Sequence, residues 1–401
     1  MIPFVLAADL FTNVVLGDRS EARLRLSAGP NVGFDLATTP MAELRLHARR
    51  VEFDVGYAPS FTLGDIETGG SFQVFQIADM RMRFVARRTT LTIGTAGSYG
   101  DYNFTYLTPT SAPSGPTPPP PQAVPTAETV RYGSSRTAAS IRHTWRRWSF
   151  TISGEHSIAG GLDEPSRIFV PLISSPSASL SLAWDATRRD ALTTSARASV
   201  VDSTPRPCNP ATGGPPLIPN ALTPTCAPND EWAELRESWR HVLGRGAFLT
   251  LAAGASLVRQ QIDRGAVETY QPEPEGEATL SFDLGAAQPW RSRLELTARV
   301  TPLVDIRYAI VESRAEAAAR FTYGTERDKL AATVSFVRSI PPTNIDATYL
   351  DFAVEGVHQL DKRVGVGLGT RGAWQHDAFT DSFFIVGFYA TFIWQSLPFR
   401  L

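Results

Sequence analysis

Strict alternation of apolar and polar residues around paired arginines is the feature of this chain that most restricts its fold. Residues 43–48 and 51–57 alternate in this way on either side of Arg49 and Arg50. A period of two predicts strands with one apolar and one polar face. Two such strands joined by two residues predict a tight hairpin.

The same pattern recurs along the whole chain. Arginine pairs also stand at 87–88, 146–147 and 188–189, again between alternating segments. The sequence predicts eighteen strands joined by eight short reversals and nine longer connections, or sixteen strands if one weak pair is not a hairpin. A long series of hairpins with short turns at one end predicts an all-β fold, a transmembrane antiparallel up-and-down β-barrel, in which closure removes exposed edges.

Composition is compatible with this barrel and excludes other classes. No stretch reaches the eighteen or more apolar residues of a membrane helix, and the apolar fraction of 43% fits a soluble protein or a barrel with one wet face. A net charge of −2 argues against nucleic acid as a partner. Tandem soluble sandwiches or a solenoid are the alternatives, but no composition break and no fixed-length repeat favours them.

One barrel domain is expected over residues 21–401, with its first strand near 21–35 and a turn at 37–40. Residues 1–20 form an N-terminal segment whose short apolar run is either the tail of a secretion signal or a mature first segment. Long extracellular loops are predicted near 98–136 and 202–230. The second loop holds Cys208 and Cys226, which predict a disulfide, with two unpaired thiols as the alternative.

The polar face of the strands carries both signs of charge. If the apolar face meets lipid, the following side chains are expected to face the lumen: Arg23, Arg25, Glu43, Arg45, Glu52, Asp54, Arg81, Arg83, Arg293, Glu295, Arg299, Arg314, Glu316 and Arg320. They either form cross-strand ion pairs that stiffen the wall or line a hydrated channel for polar solutes. Loops 98–136 and 202–230 are the candidates to constrict or cover its mouth.

Nothing in the sequence points to catalysis. Nucleophile-elbow, zinc-protease, phosphate-loop and dinucleotide motifs do not occur, and the six histidines are scattered. We therefore expect no enzyme activity, no cofactor and no metal site.

The aromatic residues suggest where the membrane interfaces lie. Trp145, Trp148, Trp239 and Trp394 stand close to short turns or to the carboxyl end, as does Trp290. The final strand, 383–394, is the most aromatic and resembles the C-terminal strand of bacterial outer-membrane barrel proteins, which carries their insertion signal. The chain departs from that pattern by ending on Leu401 rather than an aromatic residue. The resemblance implies a porin-like protein in the bacterial outer membrane, surrounded by its lipid.

The strand count, mixed-charge lumen and paired-arginine turns also resemble the barrel porins that accompany polysaccharide export. This resemblance implies a conduit for polar solutes or polysaccharide. It further implies a periplasmic export component that docks where the short turns expose their arginines. The competing hypothesis is a plugged structural or adhesive barrel whose extracellular loops bind partners.

Overall fold

The computed structural model is a closed antiparallel barrel with a continuous sheet. It describes residues 11–27, 32–64, 71–103, 129–207, 225–226, 229–259, 270–284, 291–305, 310–325, 327–339, 348–376, 383–396 and 399–400.

Eighteen wall strands, which we call staves, form the barrel. They are β1 (Phe11–Ser27), β2 (Val32–Ala48), β3 (Val51–Tyr57, continued as Ser60–Gly64), β4 (Ser71–Val85), β5 (Thr89–Asn103), β6 (Thr129–Trp145), β7 (Trp148–Gly161), β8 (Ile173–Asp185), β9 (Asp190–Ser203), β10 (Asn229–Gly244), β11 (Ala247–Arg259), β12 (Tyr270–Leu284), β13 (Arg291–Asp305), β14 (Ile310–Gly324), β15 (Asp328–Ser339), β16 (Thr348–Gln359), β17 (Val364–His376) and β18 (Phe383–Gln395).

Each stave pairs with the next one along the chain, and the last pairs with the first. β1 runs antiparallel to β18, from Gly17 opposite Gln395 to Ser27 opposite Ile385. The predicted all-β class and the predicted count of eighteen strands are therefore confirmed. Short turns join β2 to β3, β4 to β5, and each later even-numbered stave to the next one. We call the end of the barrel with these turns the short-turn rim. The opposite end, where the other connections lie, is the long-loop end.

The first hairpin differs from its prediction. β1 begins at Phe11 rather than near residue 21, and residues 37–40 lie inside β2 rather than in a turn. Pro40 is tolerated there because β3 is interrupted at Ala58 and Pro59, so no ladder partner stands on that side. The predicted signal remnant remains a prediction for residues 1–10, which lie outside the described residues.

The long connections also differ from their predicted bounds. β5 ends at Asn103 and β6 begins at Thr129. The connection between them, 104–128, is therefore shorter than the predicted 98–136. The predicted connection 202–230 likewise shortens to 204–228, and 206–207 pair with 225–226 inside it. Neighbouring strands continue to supply hydrogen-bond partners there, so pairing extends beyond the alternating residues.

A short helix, α1 (Glu164–Phe169), lies in one of the predicted longer connections, the one after β7. The Asp163 side chain caps it by accepting from the Ser166 N–H at 2.9 Å. Hydrogen bonds from the Ser166 side chain and backbone hold the pKa of Asp163 below its usual range. The signal that sequence reasoning missed is Asp163 followed by Glu164 and Pro165, a common helix start.

The exterior of the barrel is apolar and rimmed by tryptophan. Ile141, Ile152 and Leu180 are exposed aliphatics that stand opposite one another on three neighbouring staves. Near the short turns, Trp148 and Trp184 stack with ring centroids 5.4 Å apart. Trp290 of the predicted aromatic set lies outside the described residues. Among the described residues, no helix is long and apolar enough to cross a membrane.

The turn between β10 and β11 yields a direct test of backbone conformation. Gly246 has φ of +76°, and a Cβ there would lie 2.8 Å from the carbonyl oxygen of Asp283. We expect Gly246→Ala to reduce the free energy of unfolding by about 1–2 kcal/mol. Gly244→Ala is the control, because nothing lies within 4 Å of its added methyl. Urea unfolding in vesicles measures both, and an equal loss in the two variants would contradict this account.

Candidate functional site: the inner face of the barrel

The charged residues predicted to face the lumen lie on the strand face opposite the exposed aliphatics. In β13, Leu296 stands opposite Leu280 and Ala319, whereas its neighbour Glu295 stands opposite Ser281 and Arg320. The same alternation holds along β1, where Leu16 and Leu24 are exposed and Glu21 is buried. One face of the wall is thus apolar and the other polar from stave to stave.

Near the short-turn rim, this polar face carries half-exposed ion pairs. Arg45 Nε lies 2.6 Å from Glu43, Arg83 lies 3.2 Å from Glu52, and Arg293 lies 2.8 Å from Glu295. The structure also places Asp54 directly opposite both Arg45 and Arg81. Such exposed pairs contribute little stability, so these groups remain available to water and to solutes.

Halfway along the staves, the ion pairs are better buried. Arg299 Nε donates to Glu316 at 2.7 Å, and Arg236 pairs with Glu277. Glu21 accepts from both Arg19 and Arg23 at 2.7 Å, and its side chain is 7% exposed. The low exposure of these pairs makes them a structural part of the wall.

One ion pair in this middle zone reaches past two staves. Arg19 of β1 donates to Glu355 of β16 at 2.6 Å, although β18 and β17 lie between them. β17 leaves room because the residues it presents on this face include Gly365, Gly367 and Gly369. Sequence reasoning missed Arg19 because it lay in the segment expected to precede the barrel. The signal was partial, because Leu16, Ala22 and Leu24 keep the apolar period but Asp18 and Ser20 interrupt it.

At the long-loop end, the inner face is covered. Several polar-face residues there are at most 2% exposed: Asp35, Phe75, Val130, Val201, Asp230, Ser256, Arg314 and Tyr349. α1 contributes to this covering, because a Cβ at Gly161 would meet the backbone of Ser166 and Arg167. Residues facing an open, water-filled mouth would be exposed. These residues of the inner face are therefore covered by protein.

The structure describes only part of the predicted set of functional residues. Arg293, Glu295 and Arg320 lie together near the short-turn rim, Arg23, Arg299 and Glu316 lie in the middle zone, and Arg314 lies in the covered zone. The side chain of Arg25 and the whole of Cys208 lie outside the described residues, so the disulfide with Cys226 stays a prediction. The centres of both predicted mouth loops also lie outside them.

Metal chemistry has no candidate site in the described part of the chain. No group of three His, Cys, Asp or Glu side chains there is arranged to hold an ion.

A closed eighteen-stranded barrel with an apolar exterior and an ion-paired inner face defines the class of this protein. This is the fold of a transmembrane β-barrel, because closure gives every wall strand a hydrogen-bonding neighbour on both sides and the exposed apolar face suits lipid.

Solved structures share this fold at low sequence identity. The FrpB iron transporter from Neisseria meningitidis matches over 90% of this chain and 61% of its own, with 6% identity and a TM-score of 0.52. OpdQ of Pseudomonas aeruginosa matches over 96% of this chain and 99% of its own, with 12% identity and a TM-score of 0.48. OccK5 (OpdH) of the same organism matches over 96% of this chain and 98% of its own, with 12% identity and a TM-score of 0.49.

At the level of sequence, a family model described as the EpsX exopolysaccharide export family matches residues 15–206. The match covers β1 to β9, just under half of the chain. No curated protein matches.

Proposed function

We propose that this barrel forms a water-filled passage for polar solutes across the outer membrane and that it serves polysaccharide export. The observation that carries the proposal is the polar inner face of a closed wall, with half-exposed Arg45, Glu43, Arg83 and Glu52 near the short-turn rim. A barrel of this strand number is wide enough for an aqueous bore. The match to an exopolysaccharide export family over residues 15–206 supports the narrower role.

The chemistry of the inner face suits a hydroxyl-rich solute. Arginines and carboxylates alternate there in pairs such as Arg293 with Glu295, so neither sign of charge dominates locally. Each guanidinium has five N–H donors, and a single carboxylate leaves some of them free for other acceptors. Sugar hydroxyls both donate and accept hydrogen bonds. They are therefore able to exchange partners along such a wall without a deep binding site.

The charge of the short-turn rim favours a binding partner on the periplasmic side. Exposed arginine pairs stand in four of its turns, at 49–50, 87–88, 146–147 and 188–189, and Lys362 and Arg363 stand in another. Short turns face the periplasm in barrels of this class. We propose that this basic rim docks an acidic periplasmic export component, which would deliver the polymer to the bore.

The plugged adhesive barrel is the second candidate function. The observation in its favour is the covered long-loop end, where Val201 and Asp230 are fully buried. The two candidates differ in whether the covering moves to let a solute leave.

Planar-bilayer recording of the purified protein tests the passage. We expect an ohmic conductance with weak ion selectivity, because the two signs of charge are balanced on the inner face. The double variant Arg45→Ala, Arg83→Ala is expected to shift the reversal potential toward cations, since it leaves Glu43 and Glu52 without their partners. Arg87→Ala, in an exposed turn outside the bore, is the matched control. A folded protein that stays silent would refute the passage and favour the adhesive barrel.

A further inference from the structure

The far end of the β13–β14 hairpin has separated from the wall. The ladder between β12 and β13 ends at Gly276 opposite Val300, although β12 begins at Tyr270 and β13 continues to Asp305. β13 and β14 nevertheless remain paired up to Asp305 opposite Ile310. Residues 301–305 of β13 therefore have no ladder pairing with β12, and together with residues 310–313 of β14 they form what we call the hairpin end.

This hairpin end reaches staves that are not its neighbours. The Val311 N–H donates to Asp230 Oδ2 at 2.6 Å, although three staves separate β14 from β10. The Ser313 hydroxyl donates to Glu273 Oε2 at 2.9 Å, past the intervening β13. Asp230 shares its strand face with Arg236, whose side chain pairs with Glu277 on the polar side of the wall. The hairpin end therefore lies across the inner face.

An apolar contact secures the same position. Val311 packs with Ile173, Val201, Trp232 and Val258, which come from four consecutive staves, β8 to β11, and all five are buried. Such residues are unusual on a face that carries ion pairs elsewhere. They form a seat for the hairpin end and would meet water if it moved away.

Prolines disfavour pairing of the hairpin end with the wall. Pro272 and Pro274 lie in the part of β12 that has lost its β13 partner, and Pro302 lies in the departing part of β13. Proline has no N–H to donate to a ladder, so these strands cannot pair fully across the gap. The positions of these prolines in the sequence therefore agree with the loss of β12–β13 pairing in the structure.

We infer that the β13–β14 hairpin end is an inward-folded latch. It narrows the long-loop end of the bore when Val311 is held by Asp230, and it moves aside to let a polymer pass. This inference rests on the proposed passage and adds the element that regulates it.

Thiol labelling tests the latch without requiring conduction. Val311→Cys is made in a chain that also carries Cys208→Ala and Cys226→Ala, and a membrane-impermeant maleimide is added. We expect Asp230→Ala to accelerate labelling about tenfold or more, because it removes the acceptor for the residue 311 N–H. Asp230→Asn is the matched control, since its amide oxygen still accepts, and labelling should stay at the starting rate. Equal rates in all three proteins would overturn the latch.

Two further measurements keep the outcome interpretable. Heat-modifiable migration on gels shows whether each variant is folded, and Ser313→Cys replaces Val311→Cys if the latter is not. Bilayer recording then separates the two proposals. We expect Asp230→Ala, but not Asp230→Asn, to increase conductance. Faster labelling in a silent protein would support the latch and refute the passage. Unchanged labelling and unchanged conductance in a conducting protein would refute the latch and leave the passage standing.

Discussion

Leu180→Arg should strongly destabilise the barrel. Leu180 lies near the middle of β8, on the apolar face, and is 46% exposed. An arginine there would be placed in the hydrocarbon near the bilayer midplane. The expected loss in folding free energy is about 2–4 kcal/mol.

Ser181→Arg is the matched control for this prediction. Ser181 is the next residue along β8 and stands opposite Thr151 and Ser195 on the polar face. An arginine there would enter the polar interior, and we expect a loss of less than about 1 kcal/mol. Reversible urea unfolding in phospholipid vesicles, followed by tryptophan fluorescence, measures both variants. Equal losses would mean that the two faces do not meet lipid and water as described.

Glu21→Ala is the second large effect that we expect. Glu21 is buried and accepts from Arg19 and Arg23, so its removal leaves two guanidinium groups without their shared carboxylate. Breaking a buried ion pair by removing one partner typically costs about 3–5 kcal/mol. Because both arginines retain some exposure and Arg19 keeps Glu355, we expect a loss near the lower end, about 3 kcal/mol.

Glu43→Ala provides the comparison. Glu43 also pairs with an arginine two residues away, but its side chain is 36% exposed and that of Arg45 is 48% exposed. An exposed pair of this kind contributes about 0–1 kcal/mol, so Glu43→Ala should be nearly neutral. The same unfolding assay measures both variants. A Glu21→Ala protein as stable as the Glu43→Ala protein would show that burial does not separate the middle zone from the rim.

Charged groups near the short-turn rim and in the middle zone differ in exposure. The charges near the short-turn rim are exposed and paired loosely, which suits contact with a moving solute. The charges in the middle zone are less exposed and paired closely, which suits a rigid wall. In the latch that we propose, contacts that cross from β14 to β10 at the covered long-loop end determine whether the passage is open.

The sequence predicted the staves well because a strand in a closed barrel has one uniform environment on each face. Residues 43–48 and 51–57 alternate on either side of Arg49 and Arg50, so the hairpin there could be identified from the period and its interruption. The prediction of strand bounds failed where the apolar–polar period does not show whether a neighbouring strand is present. Pro40 indicated a turn, yet it lies inside β2 because β3 is interrupted beside it. Arg19 and Glu21 were overlooked for a similar reason, since a short polar stretch near the amino terminus does not show which strand will pair with it.

By itself, then, the sequence determined the all-β class, the eighteen staves and the separation into an apolar and a polar face, because side-chain direction along a strand has a fixed period of two. Only the tertiary structure decided which polar side chains meet. The Arg19–Glu355 pair and the contact between Val311 and Asp230 join staves far apart in sequence. Closure of the barrel brings such staves together across one inner surface, and local alternation carries no information about distances across that surface.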